Sequence, residues 1–328
     1  VCSFFLLADS GIRSGESLLD YRLLRFRYSD GMAFELYVQP VQFNDPNLKS
    51  AVESKLGLKD PTPGDMLNLE LLFADNMGIG DLTGLEYALN LTRLRLPGNN
   101  IINLGSLQNL IKMKFLVLGG NKIVDVSPLG GMSQLTELQI SGNRIHDISP
   151  LATLTNLEVL NLAWNDGIID IGAVTSLPNL TFINFDGSPI GDYETNIDIL
   201  SGLTQLDHLG VADCNISHLD FLSELRNLKY LALFGNGLMD IGQVANLTNL
   251  ETLRLDYNKL TNLSALTNLY HLLSLEIRNN PLSQEAYCQQ IPQIIRNNPD
   301  INLLINPNPY FPDYAGDLWG TGCGVDME

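Results

Sequence analysis

The sequence predicts an α/β solenoid: short parallel strands stacked into one sheet, 3₁₀ or extended turns on the opposite side, and a helical cap at each end. Three observations predict it. An asparagine or a small substitute recurs every 22–26 residues, at Asn76, Asn99, Asn121, Asn143, Asn165, Ser188, Cys214, Asn236, Asn258 and Asn280. Apolar residues sit eight, five and three positions before nearly every rung, as Leu157, Leu160 and Leu162 do before Asn165. The segments flanking this ladder carry helical signals instead.

Within a unit, the stretch "LTNLEVLNLAWNDGIIDI" (154–171) mixes two periods. Its first leucine steps suit a helix and its last suits a strand. A solenoid coil accommodates both, because only the short L-x-L portion needs to alternate. The leucines of all coils then stack into one core. A 22-residue repeat leaves no room for a full helix in each unit. Asparagine both donates and accepts, so it can bond the backbone groups exposed by the turn out of the strand. An unpaired buried polar group costs roughly 1–3 kcal/mol, which gives the rungs a structural role. Cys214 on a rung reads as buried and unreactive, with no activating base nearby in the pattern.

These residues form the pattern L-x-x-L-x-L-x-x-N/C-x-L. The chain thus resembles leucine-rich repeat proteins of the 22-residue class, found in internalin-like bacterial surface proteins and in a phosphatase-regulating family. The resemblance runs from Leu67 to Leu282 and implies a right-handed solenoid with a concave parallel β-sheet.

Four segments follow. Residues 1–40 fit no repeat, although "FELYVQPVQF" reads as a strand; 41–66 form an N-terminal helical cap, 67–282 the solenoid of about ten repeats, and 283–328 a C-terminal cap with an irregular tail. In the first cap, Asp45 is the expected N-cap, Pro46 a first-turn residue, and Leu48, Val52 and Leu56 the apolar face. In the second, Ser283 starts a helix, Pro292 kinks or restarts it, and Ile301–Ile305 closes the sheet as a strand. A second recurrence, four residues past the rung, holds Asp125, Asp147 and Asp240, with Asn103 and Asn262 in the same place. It is expected to cap the next turn, with calcium binding as the alternative.

Composition narrows function. The net charge of −18 repels phosphate backbones and anionic membrane surfaces, so no nucleic-acid partner is expected. No apolar run reaches the roughly 18 residues of a membrane span. The apolar opening "VCSFFLLA" is either a remnant of a signal peptide or a piece of buried strand or helix. The four cysteines make no zinc spacing; Cys288 and Cys323 could pair in an exported protein. There is no P-loop, nucleophile elbow or zinc-protease motif, and neither enzyme activity nor a cofactor is expected.

Outward strand residues are the usual binding surface of such solenoids. Phe182, His208 and Tyr230 are consecutive on one lane, flanked by Trp164, Phe234 and Tyr257, with Asp186, Asp213, Arg254 and Asp256 among them. Aromatic anchors in a polar setting suit a protein partner; the same rings could instead merely stabilise the sheet. Gly210 and Ala232 are expected to leave space beside them. His208 with Asp186 and Asp213 makes at most a weak acid–base or metal cluster. The insertion "GDYETNID" adds Asp192, Tyr193 and Glu194 beside the patch. Three Asn-Leu-Thr glycosylation motifs, at Asn90, Asn179 and Asn246, arise from the repeat consensus. The expected function is protein recognition by an exported or surface bacterial protein, favoured by the acidic charge, the absent initiator Met and the cap resemblance. The alternatives are an intracellular scaffold or regulatory subunit, and a carbohydrate-binding surface.

Overall fold

The computed structural model describes residues 22–27, 33–192 and 197–306. Tyr193, Glu194, Cys2, Cys323, the apolar opening and the tail from 307 lie outside them. Strands β1 (Arg22–Arg27) and β2 (Ala33–Val38) form an antiparallel pair ahead of the cap.

Helix α1 (Pro46–Leu56) begins as its sequence dictates. The Asp45 carboxylate accepts from the backbone N–H groups of Asn47 and Leu48, and Pro46 occupies the first turn. The helix ends at Gly57, whose φ of 66° is the left-handed cap that glycine adopts without strain. It buries Leu48, Ala51 and Val52. A second short helix, α2 (Pro63–Met66), opens with a capping box in which Thr62 and Asp65 exchange hydrogen bonds.

The solenoid follows. Its strands are β3 (Leu71–Phe73), β4 (Arg93–Arg95), β5 (Phe115–Val117), β6 (Glu137–Gln139), β7 (Val159–Asn161), β8 (Phe182–Asn184), β9 (His208–Gly210), β10 (Tyr230–Ala232), β11 (Thr252–Arg254), β12 (Ser274–Glu276) and β13 (Asn302–Leu304). They make one eleven-stranded parallel sheet in chain order. In β4 to β12 the central residue is buried and the first faces outward; the third faces outward too, though Val117, Gly210 and Ala232 are buried there. The return limbs carry 3₁₀ turns such as Ser149–Thr153, Gly172–Ser176 and Gly242–Asn246. A continuous cluster of leucine, isoleucine and valine runs from the first cap to the last.

The ladder asparagines tie each coil to its neighbour. Asn121 Oδ1 accepts from Ile101 N at 3.0 Å, while its Nδ2 donates to the carbonyls of Leu96 and Leu118. Asn99, Asn143, Asn165, Asn236, Asn258 and Asn280 repeat this arrangement. Three positions depart from it. Asn76 is not a rung: its N–H bonds Pro97 O as Gly98 N–H bonds Gly119 O, so it matches the residue before the rung. The first coil is therefore shifted by one residue. Leu71 and Phe73 face outward there, paired with Arg93 and Arg95, one residue later than a rung at Asn76 would place them. Ser188 is fully buried, yet its hydroxyl has no hydrogen-bond partner. Cys214 replaces the amide with a thiol that lies 3.2 and 3.1 Å from the carbonyls of Phe185 and Ala212. Burial pushes that thiol up to about 12, so it is inert.

A second amide column braces the limb that enters each strand. Asn90, Asn156, Asn179, Asn227 and Asn249 each donate Nδ2 to a carbonyl of the preceding coil, at 2.8–3.0 Å. The recurrent Asp and Asn residues past the rung accept from the N–H two residues on, as Asp125 does from Ser127 and Asp240 from Gly242, and so initiate the 3₁₀ turns.

At the far end Ser283 Oγ accepts from Ala286 N at 3.1 Å and starts the cap. Residues Ala286–Gln290 widen into a π-helical turn, and α3 (Ile291–Asn297) follows with Pro292 in its first turn. The wider turn accommodates a residue that has no N–H. Asn298 then closes the stack by accepting from Leu272 N and donating to Leu269 and Ile294 carbonyls.

Candidate binding face

Register brings the three predicted lane residues together. Phe182 pairs with His208, and His208 with Tyr230, on adjacent parallel strands. Their rings stack: centroids lie 4.0 Å apart for Phe182–His208 and 3.9 Å for His208–Tyr230, with interplanar angles of 18° and 2°. Burial between the two rings pushes the His208 imidazole down to about 4, so it is neutral at physiological pH.

On the next lane inward, Arg254 organises one side. Its guanidinium lies 4.9 Å from the centroid of the Phe234 ring, and Nε approaches Glu276 Oε2 at 3.2 Å as an ion pair, off the line of a good hydrogen bond. Asp256 is only 4% exposed, and its carboxylate is taken up by the backbone N–H and guanidinium of Arg278. This corrects the expectation that Asp256 offers itself to a partner. It holds Arg278 in place, because a carboxylate leaving water requires a partner of its own. Asp186 accepts from Ala212 N at 2.8 Å and from Asn184 Nδ2 at 3.2 Å. Desolvation raises its carboxyl above the ordinary aspartate value. The space expected beside Gly210 is filled: a Cβ there would stand 2.6 Å from Asn184 Oδ1 and 2.9 Å from Asp186 Oδ1.

The residue before each rung forms a rim. Its backbone is left-handed throughout, at Asn76, Gly98, Gly120, Gly142, Trp164, Gly187, Asp213, Gly235, Tyr257 and Asn279, with φ between 51° and 73°. Glycine and asparagine enter this region readily; other side chains cost about 1–2 kcal/mol. Trp164 and Tyr257 are the exceptions, with Asp213, a type that tolerates this region better, midway between them. Trp164 lies across the following coil's glycine, since a Cβ on Gly187 would meet Trp164 Cε3 at 2.4 Å. Asp213 lies across Gly235 in the same way, and desolvation raises its carboxyl. Trp164 remains 58% exposed and Tyr257 65% exposed.

The structure thus places Phe182, His208 and Tyr230 in one stack, Arg254 over Phe234, and Trp164, Asp213 and Tyr257 along the rim. Asp192 belongs to a 3₁₀ turn, Ile190–Asp192, beside this region. The acid–base reading finds no support in contacts: among the described residues no hydrogen bond or ion pair joins His208 to Asp186, whose hydrogen-bond partners are Ala212 N and Asn184 Nδ2, or to Asp213. Among the described residues, no three His, Cys, Asp or Glu side chains group closely enough to hold a metal ion. Phe73, 54% exposed next to Arg95 on the first coils, also faces outward; the shifted alignment at Asn76 hid it.

A family model described as Leucine Rich repeats (2 copies) matches residues 133–171 and 226–268. No curated protein matches the chain. Among solved structures, the chain is similar to an internalin (inlF) from Listeria monocytogenes, with 29% identity and a TM-score of 0.72, over 80% of this chain and 82% of that one. The fold is shared with the functional domain of InlJ from Listeria monocytogenes, at 22% identity and TM-score 0.61, covering 82% of this chain and 62% of that one. It is shared equally with a leucine-rich repeat protein of Leptospira interrogans, at 22% identity and TM-score 0.62, over 73% of this chain and 62% of the other.

Proposed function

We propose that this internalin-like leucine-rich repeat chain is a non-enzymatic protein-binding module, and that its partner docks on the concave face between Trp164 and Tyr257. One observation carries the reading. Two large aromatic side chains occupy left-handed backbone positions where the neighbouring coils use glycine or asparagine, and both stay more than half exposed. Backbone strain held at an exposed position points to a use outside the fold. Exposed aromatics over a rigid floor, with the stack of Phe182, His208 and Tyr230 beside them and Asp186, Asp213, Phe234 and Arg254 between, have the composition of a binding hot spot.

The module works outside the cytoplasm in this reading. Similarity to internalins supports it, and so does Cys288, which is disulfide-bonded; such bonds persist in oxidising compartments.

The test compares immobilised wild type with a Trp164→Gly, Tyr257→Gly double variant. A protein captured from a membrane-protein extract by the wild type is identified and titrated against both. Glycine relieves the backbone strain, so the variant should fold at least as readily while its affinity drops about a hundredfold or more. Equal affinity of the two proteins for every captured partner would sink the proposal.

A further inference from the structure

A separate groove opens at the other edge of the sheet, where the strands begin and the last coils meet the C-terminal cap. It encloses about 670 Å³ and is lined by Asp207, Asn227, Lys229, Asn249, Glu251, Tyr270, His271, Leu272, Leu273 and the turn 297–300. That volume lies in the range of small-ligand sites. Asp207, Lys229 and Glu251 stand one per coil, immediately before β9, β10 and β11. Opposite charges one strand apart would ordinarily pair, yet among the described residues none of the three makes an ion pair. All remain available to a ligand.

The three carbonyls along the sheet edge are already taken. The carbonyl of Asp207 already accepts from Lys229 and Tyr230, that of Lys229 from Glu251 and Thr252, and that of Glu251 from Leu273 and Ser274. An extended peptide, which binds largely through main-chain hydrogen bonds, would find no free carbonyl on these three strand entries. What remains is a set of side-chain groups: carboxylate, ammonium and amide oxygens around Tyr270, a residue 58% exposed at the rim. The amide nitrogens of Asn227 and Asn249 are committed to the preceding coil, which fixes their oxygens in place. Rigid acceptors and a donor around an exposed aromatic face match a ring bearing many hydroxyls, each able to donate and accept, with an apolar C–H face to lay on the phenol. Asp207, Glu251 and Asp300 against Lys229 leave the groove acidic, which disfavours phosphate and sulfate groups.

We propose that this groove is a saccharide site for a short neutral or amino-sugar oligosaccharide, independent of the concave face. The test applies the full chain to a printed array of neutral, amino and sulfated oligosaccharides. The strongest hit is then titrated against wild type, Tyr270→Ala, Glu251→Gln and Trp164→Gly. The expected result is binding to neutral or amino sugars that falls about tenfold or more in the Tyr270 and Glu251 variants and is unchanged in the Trp164 variant. Both groove positions are at the surface, and matching melting curves exclude misfolding. An array with no hit, a preference for sulfated probes, or a loss confined to Trp164→Gly would overturn it.

Discussion

At the scale of single residues, the ladder amides carry the strongest prediction. Asn165 is fully buried; its oxygen accepts from Ile145 N, and its Nδ2 donates to the Ile140 and Leu162 carbonyls. Asn165→Ala strands three backbone groups and should destabilise the protein by about 3 kcal/mol in urea unfolding. Ser188→Ala should be neutral or slightly stabilising by the same measurement, because that buried hydroxyl has nothing to lose. His208 gives a pH test. Its folded value of about 4 lies below the ordinary 6.5, so the unfolded chain binds the extra proton between these values. Its neutral form therefore supports the fold fully above pH 6.5, and that support drains away as pH falls toward 4. His208→Phe keeps a ring in the stack and removes the titration. Chemical denaturation from pH 7 to 4 should show a shallower decline in the variant than in wild type. Desolvation of Asp186 and Asp213 acts in the opposite sense over the acid range and is common to both proteins, so the difference between the curves isolates the imidazole.

At the scale of elements, Asp45 joins the first helix to the first coil. Its Oδ1 caps α1, and its Oδ2 accepts from Gly80 N at 2.7 Å and weakly from Asp81 N. Burial alone would raise its carboxyl, but four backbone donors hold it below 3.8. Stability from this group is thus present above pH 3.8 and lost as pH falls through the lower folded value. Asp45→Asn retains the cap oxygen, whereas Asp45→Ala removes every contact and should cost about 1–2 kcal/mol by thermal unfolding. Most elements were legible in the sequence. Asp45, Pro46 and the four-residue apolar spacing announced α1; the L-x-L unit announced β4 to β12; Ser283 and Pro292 announced the last cap. The first coil was misaligned because Asn76 imitates a rung while Met77 occupies the place, and the step of 23 residues from Asn76 to Asn99 was the available signal. The second amide column was hidden inside the glycosylation motifs at Asn90 and Asn179, whose amides are used internally. The stacking lane could be read because strand register follows repeat length. The roles of Asp256 and Asn184 could not, because they depend on where side chains lean across neighbouring strands.

At the scale of the molecule, a repeat stack is only as strong as the junctions between its coils. Junctions from Asn99 to Asn165 and from Asn236 to Asn280 are fastened by amides. Between them lie Ser188, with an unpaired hydroxyl, and Cys214, with a weak thiol donor. The turn after Asn165 bonds to itself, Ile168 N to Asn165 O, instead of to the next coil. Hydrogen exchange should therefore find lower protection at Ile168 and Ile190, bonded within their own turns, than at Ile123 and Ile145, bonded to the ladder amides of the next coil. Uniform protection along the chain would contradict a weak central junction. The aromatic stack of Phe182, His208 and Tyr230 spans that junction from the inner face, as does the rim from Trp164 to Tyr257.

Because Trp164 reclines on Gly187 and Asp213 on Gly235, neither glycine can take a side chain while its neighbour keeps its own. Specificity at these two pairs of steps can be rewritten at one member only. A descendant that needed a new contact at position 187 would first have to surrender its tryptophan, so neighbouring preferences are inherited or discarded in pairs.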